Sequence, residues 1–572
     1  MGMIFTELVR WIFVVLAFFV IARSIRSLLQ TKSPSEVWAY LHMVTLKPAG
    51  DGSYLEREQR VPLTHWENVL GRAKSCDVTV GDGTMSRNHA ILMRDMGGNW
   101  HFQDLGSKNG SWINDHRVVE AGCNVPVKFG DSIRLGLTTC TLMPVSLEEK
   151  NNNRNMRRSD TQHLSAGPAL AALTLFQLLA VFQLVIALPD EAVLPVIMAF
   201  GGLALLMWIY TGFLRMLKQT AFEMDMIAFF LCTLNLAVVA SSNYNALRKQ
   251  LIAIALGVAV MFVMCVILRN LTLTKYMRWL LLTGAVALLI FNLAFGSMIF
   301  GAKNWIQIGA FSFQPSELVK VAFIWIGAAT LDELFTKKNL TVFMMFSGFC
   351  FCCLAVMGDF GTAIIFFITF VVISFLRSGD FSKMVLFLGA AFAGGLIILR
   401  FKPYIANRFA SWGHVWEPAF VDAAGYQQSR AMSAAASGGL VGVGAGEGWL
   451  ESVPAADTDM VFCMLIEEWG LIIAMLAVFS IVTLAVFSVR SIMGGRSTFY
   501  TIGACGAMSM FVFQTMLNVF GAVDLLPFTG VTFPFVSNGG TSMIVSWALL
   551  AFLKSADTRE RASIAVKAGD RL

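Results

Sequence analysis

Arg400–Val461 reads RFKPYIANRFASWGHVWEPAFVDAAGYQQSRAMSAAASGGLVGVGAGEGWLESVPAADTDMV. It is the longest polar interruption in a half of the chain that is otherwise membrane-like. It is glycine-rich, carries Trp412, His414, Trp416, Glu417, Arg430 and Glu451, and ends in Asp457, Thr458 and Asp459 just before an apolar run. A loop of this length between apolar helices is functional or disordered rather than a plain connection. A carboxylate at the mouth of a helix bundle costs stability unless it has a partner or a use. Taken alone, Asp459 is as readily an N-cap for the helix that follows.

Outward from this stretch the chain is strongly apolar. Its 572 residues are 56% hydrophobic and 14% charged, and mean hydropathy is +0.66. Soluble domains carry about 25% charged residues, so most of this chain is membrane protein. Apolar runs fall near 166–188, 192–214, 220–240, 251–268, 279–300, 318–334, 341–357, 361–377, 384–400, 461–487, 498–520 and 541–554. Each approaches the roughly 20 residues that a spanning helix needs. A further run, 3–22, is apolar apart from Glu7 and Arg10, and Arg23, Arg26 and Lys32 follow it. A secretory signal has its positive charge before the run, so this is a spanning helix with its N-terminus outside. The reading is thirteen helices.

Loop charge sets the orientation. Arg215/Lys218, Arg269/Lys275/Arg278, Lys337/Lys338, Arg377/Lys383, Arg490/Arg496 and Lys554/Arg559/Arg561 share one side, and Arg248/Lys249 dissent. Basic loops stay cytoplasmic, which places the 401–460 stretch outside. The net charge of +6 is modest, and no nucleic-acid partner is expected. Most of the ten cysteines lie in apolar runs as small packing residues. No cysteine pair or histidine cluster suggests a metal.

Residues 44–146 differ in kind. Short alternating runs (Cys76–Val80, Ala90–Met93, Trp100–Phe102, Ser132–Leu137) are punctuated by Gly97-Gly98-Asn99 and Asn109-Gly110. That pattern predicts a soluble β-sandwich. Gly71-Arg72, Ser86-Arg87-Asn88-His89 and Asp104-Leu105-Gly106-Ser107-Lys108-Asn109-Gly110 lie in it in order. Phosphate recognition wants a guanidinium, a hydroxyl and amide donors on loops held by a rigid scaffold. These three elements resemble the forkhead-associated (FHA) domain. The resemblance assigns Arg72 and Ser86 to a phosphothreonine phosphate, with Arg87 assisting, and Asn109 to the peptide backbone. His89 and Gly110 are expected to brace the loops. A basic linker, Lys150–His163, separates this domain from the bundle and keeps it cytoplasmic.

Four polar segments share the outer face with the opening stretch or belong to it. They are Gly301–Ile306 leading to Gln314-Pro315-Ser316-Glu317 and Lys320; Gly358-Asp359-Phe360-Gly361; Asp457-Thr458-Asp459 with Glu467-Glu468; and Pro527–Gly530 with Phe533–Ser542. Lysines, carboxylates and glycine-bent backbone on one face form an anion-friendly outward cavity. The bare chemistry allows a transporter or an enzyme acting on an amphiphile with a charged head.

Together these segments resemble the SEDS family (FtsW, RodA, SpoVE) over about residues 280–555. The resemblance implies a multi-pass α-helical bundle carrying an inverting glycosyltransferase. It would polymerise lipid II into glycan strands outside the bacterial cytoplasmic membrane, beside a class B penicillin-binding protein, in division, elongation or sporulation. It assigns Asp459 as the essential aspartate. A sugar hydroxyl is a poor nucleophile and gains from a carboxylate that accepts its proton. The lipid diphosphate leaves as an anion and needs cations. Lys303 and Lys320 are the first candidates, then Arg408 and Arg430, and a divalent cation (Mg²⁺ or Mn²⁺) can share that role. Gln427 and Ser537, in matching motifs, are assigned to substrate. Gln314, Pro315, Ser316, Glu317 and Asp359 are expected to be structural, Asp457 to cap a helix, and Glu467 and Glu468 to be partnered inside the bundle.

The chain departs from the family pattern at Gly358 before Asp359, Asn304, Arg430, Ala431, Asp457, Met460 and Asn538, and five helices precede the Gly301 loop rather than three. The organisation is an anchor (1–26), FHA domain (44–146), linker (147–165), membrane domain (166–555) and cytoplasmic tail (556–572). A lipid II flippase and a non-catalytic division scaffold are the competing readings. The flippase is kept open by Glu223, Asp225 and Lys320, which lie within apolar runs.

Overall fold

The computed structural model describes residues 2–30, 37–48, 54–74, 76–94, 98–118, 123–152, 164–299, 302–308, 311–331, 337–378, 381–401, 403–492, 497–557 and 563–565. Lys32, Gly97, most of the linker (153–163), Gly301, Arg496, Arg559, Arg561 and most of the tail lie outside these residues.

Eleven strands, β1 (Ala39–Pro48), β2 (Tyr54–Leu63), β3 (Glu67–Gly71), β4 (Val78–Thr79), β5 (Ala90–Arg94), β6 (Trp100–Asp104), β7 (Ser111–Ile113), β8 (His116–Arg117), β9 (Val125–Val127), β10 (Ser132–Leu135) and β11 (Thr138–Pro144), form two packed sheets, of order β2-β1-β11-β10-β7-β8 and β4-β3-β5-β6-β9. The first strand, Ala39–Pro48, opens upstream of residue 44. Alternation sets the faces: in β11 (Thr138–Pro144), Thr138, Cys140 and Leu142 point inward. Leu41, Leu70, Leu92, Phe102 and Ile133 fill the core between the sheets.

The rest of the chain is helical. Among the described residues each of the thirteen apolar runs falls mainly on helix, and the main departure lies inside the run 279–300. That run is helical only to Phe295, and Ser297–Ile299 begins a small antiparallel sheet with Ala302–Ile308 and Phe311–Phe313. Among the described residues seven segments are long and apolar enough to cross a membrane, and one of these, Glu223–Leu268, holds two helices joined by the turn Tyr244–Ala246. Shorter apolar helices include Thr341–Met357, Phe360–Leu376 and Gly540–Ala556. The helix Glu223–Asn243 is the axis, buried at every residue from Met224 to Ser241. Its buried polar side chains are bonded to neighbouring elements, Asp225 to Lys554 and Asn235 to the Val536 and Ser537 carbonyls.

The N-terminal helix, Gly2–Gln30, packs into the same core through Phe13, Val14, Ala17, Val20 and Ile21. It is therefore packed as part of the bundle.

The sixty-residue stretch is not a plain loop. It contains the helices Pro403–Ser411 and Tyr426–Gly438 and a helical turn, Ala456–Asp459. The helix after it is broken at Gly470 into Val461–Trp469 and Leu471–Ile492. Backbone from the glycine run enters the break: Leu471 and Ile472 amides donate to the Gly439 and Leu440 carbonyls at 3.0 and 3.2 Å. A Cβ on Gly470 (φ +89°) would lie 2.3 Å from the Leu440 oxygen, and one on Gly442 (φ +82°) would lie 2.1 Å from the Glu468 oxygen. Only glycine fits where two backbones meet this closely.

Candidate functional site

The polar segments converge on a cavity of about 630 Å³, within the range of small-molecule sites. Glu317, Asp359, Asp457 and Asp459 line it, and Arg408 is the one cationic side chain among its described lining residues. One wall is apolar, with Ile364, Ile405, Phe409, Trp412, Leu526 and Phe528.

Asp459 ends the turn Ala456–Asp459, and the turn is gripped along its backbone. The Asp457 carbonyl accepts from the Asn538 amide at 2.8 Å. The Thr458 carbonyl accepts from Ser537 Oγ at 2.5 Å, and the Asp459 carbonyl from Asn518 Nδ2 at 3.0 Å. Three consecutive carbonyls are thus fixed by residues from two other elements. Asp459 caps nothing: the helix Val461–Trp469 starts from Met460 with no side-chain cap. Burial pushes the Asp459 carboxyl up to about 6, against the Thr458 hydroxyl and the Arg408 guanidinium, while the Asp457 and Asp359 charges push it the same way as burial.

Asp457 is not a cap either, contrary to expectation. Its carboxylate accepts from Asn538 Nδ2 at 2.7 Å and Ser242 Oγ at 3.1 Å. Two of the departures from the family pattern, Asp457 and Asn538, are therefore bonded to each other.

Asp359 is the structural hub of the second wall. It accepts from Asn304 Nδ2 (3.1 Å), Gln314 Nε2 (3.0 Å) and Ser316 Oγ (3.3 Å), and from the Thr362 amide (3.2 Å) at the start of the helix Phe360–Ser378. Pro315 opens the neighbouring helix Pro315–Leu331, with Glu317 in its first turn, where a carboxylate complements the helix dipole.

The expected cations divide. Arg408 lines the cavity, donates to the Phe528 carbonyl at 3.0 Å and lies over the Phe528 ring. Lys320 is buried behind the wall, 2.6 Å from Glu317 and 3.2 Å from Gln514 Oε1. Lys303 donates to the Leu293 carbonyl at 2.7 Å, and Arg430 reaches Asp422 at 3.3 Å. Neither is among the cavity's lining residues. Gln427 donates to the Pro454 carbonyl at 2.9 Å, and Ser537 is buried in the backbone grip already described. Glu467 accepts from the Trp449 and Leu450 amides, and Glu468 from Ser241 and the Gly446 amide. Both are partnered inside the bundle. Among the described residues no three His, Cys, Asp or Glu side chains are grouped to hold a metal ion.

Asp225, Glu223 and Lys554, which lie inside apolar runs, are also paired. Asp225 meets Lys554 at 2.5 Å and the Tyr210 hydroxyl at 2.9 Å, and Glu223 accepts from Ser27.

On the sandwich, Arg72, Ser86, Arg87 and Asn109 lie on neighbouring loops. Arg72, Arg87 and Asn109 are exposed. The Arg72 amide donates to the Ser86 carbonyl at 3.1 Å, the Lys108 amide donates to Ser86 Oγ at 3.0 Å, and Asn109 Nδ2 reaches the Thr84 carbonyl at 2.7 Å. His89 ties two of the loops. Its Nδ1 accepts from the Ser86 amide, which leaves Nε2 to donate to the Gly110 carbonyl, each at 3.2 Å. Burial lowers its pKa and outweighs the Gly110 carbonyl and the Asp104 and Asp82 charges, which keeps this neutral tautomer.

Sequence reasoning passed over Asp104, Asn518 and Ser242. Asp104 takes the Gly106 and Ser107 amides at 2.8 and 2.7 Å and the Ser107 and Ser111 hydroxyls. The D-x-G-S pattern was its available signal. Asn518 lies within an apolar run and Ser242 just past the end of one, with no local mark of their contacts.

With this geometry in place, the comparisons with known proteins are direct. Residues 213–562 match the family model for the cell cycle protein FtsW/RodA/SpoVE, and residues 68–136 match the FHA domain model. The first match begins well upstream of residue 280, where the motifs had placed it. The chain is similar to a probable peptidoglycan glycosyltransferase FtsW of Tolumonas auensis, with 33% identity over 51% of this chain and 78% of the relative. It is similar also to stage V sporulation protein E of Bacillus subtilis, with 30% identity over 52% and 82%. Among solved structures, one chain of a peptidoglycan synthase complex described as coordinating polymerization and crosslinking aligns over 59% of this chain and 98% of its own, at 21% identity and TM-score 0.49.

Proposed function

The chain belongs to the FtsW/RodA/SpoVE family and carries an FHA domain, and from that premise we propose that it is a peptidoglycan glycosyltransferase. It polymerises lipid II at the cavity around Asp459 and is coupled to phosphothreonine signalling through the FHA domain. The membrane domain sits in the bacterial cytoplasmic membrane, with the cavity outside and the FHA domain in the cytoplasm. The basic loops and the relatives named peptidoglycan glycosyltransferase support this reading.

The observation that carries it is the state of Asp459. Its backbone is held at three consecutive carbonyls while its carboxylate lines the cavity with a pKa near 6. A general base works best with a pKa near the operating pH. At neutral pH Asp459 is largely ionised and more basic than an ordinary aspartate. It accepts the proton of the attacking sugar hydroxyl as the oxygen bonds to the anomeric carbon of the second lipid II. The bond from that carbon to the diphosphate oxygen breaks on the opposite face, which inverts the centre. The departing diphosphate carries its own negative charge and needs no proton, and Arg408 stabilises it electrostatically. The apolar wall receives the start of the lipid chain.

A Mg²⁺ or Mn²⁺ ion would be carried by the diphosphate oxygens together with one or two of the cavity carboxylates and would share the neutralisation of the leaving group. The flippase reading loses its main motive. Asp225, Glu223 and Lys320 are each bound to a partner within the bundle, and none lines the cavity.

The test is polymerisation of fluorescent lipid II by the purified full-length protein, alone and with a class B penicillin-binding protein. Glycan polymer on a gel supports the reading, and its absence from both arms overturns it.

A further inference from the structure

Arg10 is the one arginine on the outer half of the N-terminal helix, at a level where a charge is costly unless it meets polar partners. Its guanidinium Nη2 donates to the Val443 carbonyl, inside the glycine run that precedes the Asp459 turn. Three positions along the same helix, Phe13 stacks edge-on against Trp469 with centroids 5.1 Å apart. Trp469 is the last residue of the helix that Asp459 leads into. Two independent contacts thus join the N-terminal helix to the two sides of the Asp459 segment.

The bonds continue from Val443 toward the site. The Val443 and Gly444 amides donate to the Glu467 and Glu468 carbonyls at 2.8 and 3.1 Å. The Glu467 carboxylate then takes the Trp449 and Leu450 amides at 2.9 and 3.1 Å. Leu450 receives the Val453 amide at 2.9 Å, Val453 the Ala456 amide at 3.2 Å, and Ala455 the Asp459 amide at 2.9 Å. A Cβ on Gly444 would meet Gln183 Nε2 at 3.0 Å, so the glycine turn is seated closely between the helix Gly167–Ala187 and Arg10. At its other end the N-terminal helix is fixed by Arg23 to the Ser165 carbonyl at 2.8 Å and by Ser27 to Glu223.

We propose that Arg10 is a positioning residue for the transferase, and that the N-terminal helix preceding the FHA domain holds the glycine run, and through it the Asp459 turn, in register. The proposal rests on the transferase reading for its effect on turnover, but not for its effect on the loop. It assigns a role to a helix wholly outside the region 213–562 that matches the family. It also means that a single helix connects the FHA-bearing side of the protein to the proposed catalytic segment.

The test compares the full-length protein with Arg10→Ala and Arg10→Lys in the same detergent. The readouts are hydrogen exchange over residues 440–452 and lipid II turnover. Arg10→Ala is expected to speed exchange at this segment by about tenfold, with the FHA strands unchanged. It is expected to lower kcat about tenfold with KM nearly constant, as misplacement of a reacting group does. Arg10→Lys keeps an N–H donor within reach of the Val443 carbonyl and should recover part of both. Unchanged exchange in Arg10→Ala overturns the proposal, as does Arg10→Lys behaving like Arg10→Ala in both readouts, which would show that an N–H donor at this position does not hold the glycine run. If the unaltered protein makes no polymer, the transferase reading fails, and the exchange comparison still decides the role of Arg10.

Discussion

The loops of the FHA sandwich and the cavity of the membrane domain are both proposed to meet phosphate, and they are built in opposite ways. On the sandwich, Arg72, Arg87 and Asn109 stand exposed on loops whose shape is fixed underneath by His89 and Asp104. Among the described lining residues of the cavity four carboxylates face one arginine, and Lys320 is already paired with Glu317. The first arrangement suits a site that must hold an intact phosphate ester. The second suits one that must activate a hydroxyl and then release an anion. Attraction for phosphate is strong where binding is the whole task, and weak where the phosphate has to leave.

The comparison breaks most sharply at Asp459. Asp459→Asn keeps the size of the side chain and removes the base. Lipid II polymerisation should fall by about 10³-fold, within the span typical of general-base removal. Binding of a phosphothreonine peptide to the same protein should be unchanged. Turnover within threefold of the unaltered protein would remove Asp459 from the chemistry.

The reciprocal change is Arg72→Ala. Charge-assisted hydrogen bonds to phosphate contribute about 1.5–3 kcal/mol, so phosphothreonine peptide affinity, measured by fluorescence anisotropy on the full chain, should weaken by about 10- to 100-fold. Basal polymerisation without peptide should not move. Equal affinity in the variant would show that the exposed arginine does not hold the phosphate.

The two regions also differed in how legible they were. In the sandwich, strand alternation and the loop motifs led directly to neighbouring loops, because each motif acts within a few residues of itself. In the membrane domain the helices were plain, since apolar runs have few other ways to be satisfied in lipid. The structure between them was not. Ser297–Ile299 is as apolar as the helix before it, and only the pairing with Ala302–Ile308 shows it to be strand. The helix Tyr426–Gly438 hides in an Ala- and Ser-rich segment with no apolar stripe. Lys320 was expected at the diphosphate, although its spacing of three from Glu317 is that of an intrahelical ion pair, which is what forms. Asp459 was found by its motif. Its grip by Ser537, Asn538 and Asn518 joins positions about 60 to 80 residues apart in sequence, and no local pattern encodes that.

Arg408 gives the finest measure of the cavity's balance. Its positive charge lowers the Asp459 pKa, while burial holds it near 6. The active form of the base is the carboxylate, so polymerisation should fall as pH drops through about 6, by close to tenfold for each further unit. Arg408→Ala removes a charge that favours the carboxylate, so the midpoint of this profile should move to higher pH. Arg408→Lys should keep it close to the original. The plateau rate at high pH should also drop, by about tenfold, because the leaving diphosphate loses its nearest fixed cation. The two effects separate the two roles: a shifted midpoint with an intact plateau would mean that Arg408 acts only on Asp459. A reduced plateau with a fixed midpoint would mean that it acts only on the leaving group.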